Sequence, residues 1–91
     1  MKFEKRKPTR KEIRYRILRK LARHRIIGGK HTSIENVQKG MPKEFRKTVL
    51  EEVNQLIREG IIIVHPTSYG MQISLNPRKI KEIREILEEE L

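Results

Sequence analysis

Apolar positions recur along the chain at two periods, and the change of period separates helices from strands. Behind Thr9-Arg-Lys-Glu12, which fits a capping box, Ile13, Ile17, Leu18 and Leu21 fall at i, i+4, i+5 and i+8, one stripe of a helix. This predicts a first helix over about residues 10–25, closed by Gly28-Gly29, with Arg16, Arg19, Lys20 and Arg23 on the opposite face. Thr32-Ser-Ile-Glu35 fits a second capping box and opens a short helix over roughly 33–39, its Ile34 and Val37 inward. Gly40 breaks it, and Pro42 sits where a first helical residue tolerates proline. A third helix over about 42–59 follows, with Phe45, Val49, Leu50, Val53, Leu56 and Ile57 as its stripe and Gly60 as its stop.

The period then shortens. Gly60 to Leu75, GIIIVHPTSYGMQISL, reads as two strands joined by a polar loop over His65 to Gly70. A two-stranded ribbon is marginal alone in water, so its inward residues must cover the helical core. Asn76-Pro77 then supplies an N-cap and a proline at the first helical position. The terminal helix, about 77–90, carries Ile80, Ile83, Leu87 and Leu91, with Ile86 beside them. Residues 1–8, MKFEKRKP, show no apolar period and read as a flexible basic arm. Neither an internal repeat nor a domain boundary is visible, which gives one domain of α+β class, mainly α.

The order is helix, helix, turn, helix, strand, loop, strand, helix. In that order, and in LIREGIII leaving the third helix, PTSYG in the loop and QISLNP closing the ribbon, the chain resembles the winged helix-turn-helix DNA-binding family, most closely its small archaeal members. The resemblance covers residues 9–75 and leaves 76–91 as an added C-terminal helix. It implies a third helix that enters the major groove of duplex DNA and a wing, here 65–70, that touches an adjacent backbone or minor groove. Carried onto this chain, it makes Lys43, Lys47, Thr48, Asn54 and Arg58 on the third helix, and Thr67 and Ser68 in the wing, the candidate contacts. As a class it implies a transcription regulator. The added helix has two open readings, a cover for the core or a homodimer contact through Ile80, Ile83 and Leu87.

Charge changes the picture. The chain carries a net +10, and residues 1–30 hold thirteen basic residues against Glu4 and Glu12. Residues 31–91 hold nine basic and ten acidic, so the whole excess lies in the first third. Such density points to a polyanion. Arg6, Lys7, Arg10, Arg16, Arg19, Lys20 and Arg23 are the residues expected to neutralise phosphate. The third helix is close to charge-balanced, and Glu44, Glu51 and Glu52 offer i,i+3 and i,i+4 partners to Lys47 and its neighbours. Two alternatives to the DNA reading follow. In one, the first helix binds structured RNA; in the other, the third helix docks a protein within a larger complex.

Composition narrows the rest. Without Cys there is no disulfide or thiolate metal site. His24, His31 and His65 lack any metal-ligand spacing. With no phosphate loop and no nucleophile motif, neither an enzyme nor a cofactor is expected. Two Tyr, two Phe and no Trp argue against a single-strand stacking platform. No apolar run approaches a membrane span, so a cytoplasmic protein is expected. The absence of Asp and Cys beside abundant Ile, Glu, Lys and Arg fits a thermophile's inventory.

Overall fold

The first helix begins as its capping box dictates. The Glu12 amide donates to the Thr9 hydroxyl and the Thr9 amide to the Glu12 carboxylate, at 3.1 and 2.9 Å. In the computed structural model, which describes residues 7–89, helix α1 runs Arg10–Arg23. It ends before the glycine pair. Arg25 takes the left-handed conformation at φ 56°, with its amide on the Ala22 carbonyl and the Ile26 amide on the Leu21 carbonyl, a Schellman closure. Helix α3, Arg46–Arg58, closes the same way, with Gly60 at φ 77° in the equivalent place and the Ile61 amide on the Leu56 carbonyl. A left-handed residue with a Cβ costs roughly 1–2 kcal/mol, part of which glycine gives back as chain entropy in the unfolded state. Arg25→Gly is therefore expected to stabilise the fold by roughly 0.5–1 kcal/mol. A lowered melting temperature would instead show that the Arg25 side chain holds a stabilising contact.

Between α1 and α3 the structure departs from expectation. Thr32-Ser33 is a two-residue strand, β1, pairing with Ile73 and Gln72. The cap of α2, Ile34–Gln38, is Ser33, whose hydroxyl accepts from the Asn36 amide, while the Thr32 hydroxyl accepts from Asn36 Nδ2. The expected Thr32–Glu35 box does not form, because the extended backbone at Ser33 lets that residue end a strand and start a helix at once. A 3-10 turn, Lys43–Phe45, leads from Pro42 into α3.

Strands β2, Ile62–Thr67, and β3, Gly70–Leu75, form an antiparallel hairpin in register Ile62↔Leu75 through Thr67↔Gly70. Its turn is only Ser68-Tyr69, shorter than the expected loop over 65–70, because His65 and Pro66 belong to β2. Sheet order is β1-β3-β2, so β2 lies at an edge, the one place where a strand accommodates Pro66 without losing a ladder bond. The chain after α1 also joins the sheet, with the Leu75 amide donating to the Ile26 carbonyl and the Gly28 amide to the Leu75 carbonyl.

One core collects all these elements. Ile13, Ile17, Leu18 and Leu21 of α1 meet Val49, Val53 and Leu56 of α3 and Ile62, Ile73 and Leu75 of the hairpin. Tyr15 is also buried. A 3-10 turn, Pro77–Lys79, capped by Asn76, precedes α4, Ile80–Glu89. Ile83 is 2% exposed, and Ile80, Ile86 and Leu87 pack half-buried against the same core, so α4 lies over α1 as its cover. No described helix is long and apolar enough to cross a membrane.

Candidate nucleic-acid interface

The register of α3 is set by Val49, Val53 and Leu56, all fully buried. That register exposes Lys43, Glu44, Arg46, Lys47, Glu51, Asn54 and Arg58. Two positions break the expected stripe. Leu50 is 37% exposed, and Glu52, expected on the solvent side, is 5% exposed. Arg46 joins the outward cations although the sequence did not single it out, because it lies one turn before Leu50, which the sequence placed in the buried stripe. Thr48 is half-buried and lines a hollow with Lys7, Pro8, Arg10, Ile13 and Phe45. That hollow brings the end of the basic arm beside the start of α3. Arg6 lies outside the described residues.

Glu52 is buried because α1 supplies its counterion. Arg14 Nε donates to Glu52 Oε2 at 3.1 Å, and Arg14 Nη1 donates to Glu59 Oε1 at 2.9 Å. Arg10 reaches Glu51 at 2.9 Å and Glu52 at 3.7 Å. The hydrogen bond from Arg14 holds the Glu59 carboxyl below its ordinary range, with Gln55 adding a second donor. Reciprocally, Glu59 and then Glu52 raise Arg14 against the cost of its burial. Arg10 is thus an ion-pairing residue between helices as well as an exposed cation. Of the carboxylates expected to pair within α3, Glu51 and Glu52 turn to α1 instead.

Lys20 also has a structural task where a phosphate contact was expected. Its Nζ donates to the carbonyls of Asn36 and Lys39, the latter at 2.8 Å, and so caps the end of α2. Burial lowers its pKa, and repulsion from Lys39 and Arg16 lowers it further. Arg19 and Arg23 are exposed; with the half-buried Arg16 they border a cleft that reaches Lys39, Gly40 and Met41, at the turn between α2 and α3.

At the hairpin tip the Thr67 hydroxyl donates to the Gly70 carbonyl at 2.9 Å and accepts from the Tyr69 amide at 3.2 Å. Thr67 therefore shapes the turn, and Ser68 and Tyr69 are what the tip presents, Tyr69 at 94% exposure. His65 faces back along the sheet. Its Nε2 lies 2.8 Å from the buried Ser74 hydroxyl, which donates to the Gly28 carbonyl, and its ring stacks on His31 at 4.8 Å. Among the described residues no three His or acidic side chains gather as metal ligands.

These elements define an α+β, mainly helical protein with a small three-stranded antiparallel sheet. The chain matches no protein-family model, no curated protein and no solved structure.

Proposed function

We propose that this protein is a winged helix-turn-helix that binds duplex DNA, with α3 as the reading helix, the β2–β3 hairpin as its wing, and transcription regulation as its role. One observation carries the reading. From Lys43 to Glu59 the chain holds Lys43, Arg46, Lys47 and Arg58 against Glu44, Glu51, Glu52 and Glu59, an even balance. From α1, Arg10 pairs with Glu51 and Arg14 is shared between Glu52 and Glu59, so of the four acids only Glu44 has no partner on α1, against four exposed cations. The excess of basic residues in α1 thereby frees α3 for phosphate, which resolves the mismatch between a basic first helix and a balanced third. Lys7 adds charge at the same end of α3.

A salt titration tests this. With about five cations on phosphates, log affinity for a random duplex falls against log salt with a slope of roughly −4 to −5. A slope near zero contradicts the reading. Sequence preference is then a ratio between selected and random duplexes, measured at one salt concentration.

A second reading has its own support. Arg19 and Arg23 face solvent on the far half of α1, without an ion pair among the described residues. That face suits the backbone of structured RNA, and an A-form duplex that competes better than B-form DNA favours it.

A further inference from the structure

A second cleft lies where α1 ends against α2 and β1, lined by Lys20, Leu21, His24, Ile26, Lys30, Thr32, Asn36, Val37 and Lys39, with a volume of about 380 Å³. That lies within the usual range for small-molecule sites, roughly 300–1,000 Å³. No residue of α3 contributes to it. Its floor is closed by the core residues Leu21, Ile26 and Val37, of which Ile26 shows the most surface at 8% exposure, and its rim is cationic. No lining residue carries a carboxylate, and the same is true of the adjoining cleft bordered by Arg16, Arg19 and Arg23. Lys30 is held at the mouth by its bond to the His24 carbonyl at 3.1 Å, and Lys39 is exposed. On the wall, Asn36 Nδ2 donates to the Thr32 hydroxyl at 2.9 Å, which leaves Asn36 Oδ1 as an acceptor and the Thr32 proton as a donor.

A bare anion has no use for the floor, and an apolar ligand has no use for the rim. A planar heterocycle joined to a phosphate uses both, and its polar edge matches the Asn36–Thr32 pair. We propose that this cleft binds a nucleoside phosphate, with the base on the Leu21–Ile26–Val37 floor and the phosphate against Lys30 and Lys39. The ligand can be a free nucleotide or an unpaired nucleotide within a strand, since both present the same group.

The test uses the full-length chain labelled with nitrogen-15. It is titrated in parallel with AMP, with inorganic phosphate, and with a hairpin duplex that either contains or lacks one unpaired adenosine. AMP is expected to shift the amide signals of Leu21, His24, Lys30 and Asn36. The double substitution Lys30→Glu/Lys39→Glu is expected to weaken AMP binding at least about tenfold, the loss expected for charge-assisted bonds to phosphate. Asn36→Asp, which places a carboxylate on the wall and favours the start of α2, gives the same loss if the double variant does not fold. Preference for the hairpin with the unpaired adenosine assigns the site to a strand, and response to AMP alone assigns it to a free nucleotide. Equal response to inorganic phosphate, wild-type affinity in the variants, or no shift in the cleft overturns the proposal. The site stands apart from the DNA reading: Lys43→Glu/Lys47→Glu weakens duplex binding through α3 and leaves AMP binding intact.

Discussion

Lys43→Glu/Lys47→Glu is expected to bind a random DNA duplex about a hundredfold more weakly than the parent protein near 0.1 M salt, because each phosphate contact releases close to one counterion. The salt slope falls by about two in magnitude for the same reason. Both lysines are exposed at the start of α3, and neither forms an ion pair among the described residues. An acid near a helix N-terminus interacts well with the helix dipole, so the fold survives and circular dichroism should stay unchanged. The control places the same change of net charge elsewhere, as Lys81→Glu/Arg84→Glu on the outer face of α4. If that variant loses as much affinity, binding depends on overall charge and α3 is not the reading helix.

Arg14→Ala is expected to destabilise the fold strongly. It leaves Glu52, with a side chain 7% exposed, without its main counterion, although Arg10 remains at 3.7 Å. Removing one partner of a buried pair costs about 3 kcal/mol or more, since the remaining charge cannot be solvated. For a chain of this size that is a fall in melting temperature of roughly 12–24 °C. The loss has a pH signature. Glu59 has its folded pKa lowered from the ordinary 4.5 by the same arginine. Its contribution is therefore complete above 4.5 and disappears as pH drops through the lowered value. The gap between parent and variant should narrow on acidification below the ordinary carboxylate range. A gap that stays constant well below that range would mean Arg14 acts by packing rather than by charge.

The chain's pattern made α1, α3, the hairpin and α4 legible because each buries a face of regular period. What it hid has specific causes. β1 is two residues long, too short for any period to register. The edge strand β2 ends in His65, Pro66 and Thr67, polar or ring-constrained residues that read as loop although an edge accepts them. Glu52 looked like a surface acid, since nothing local announces that Arg14, 38 positions earlier, meets it across the helix interface. Leu50 looked inward because it adjoins Val49, and only the packing of Val53 and Leu56 decides between neighbours. Of the candidate contacts, Lys43, Lys47, Asn54 and Arg58 do share the exposed side of α3, whereas Lys20 and Thr67 are engaged in holding backbone. Ile83, one of the residues offered to a second copy, is spent within its own core.

The edge position of β2 bears on how the protein behaves when crowded. An open strand edge is a template on which further chains can add, and about six residues are enough to begin. Here proline takes an amide donor out of that edge near its outer end, and the tight turn finishes it two positions later. An incoming strand finds only the stretch from Ile62 to His65. The hairpin can therefore leave its aromatic tip exposed without recruiting other copies into a growing sheet, so the residue that disguised the strand in the sequence also guards its edge.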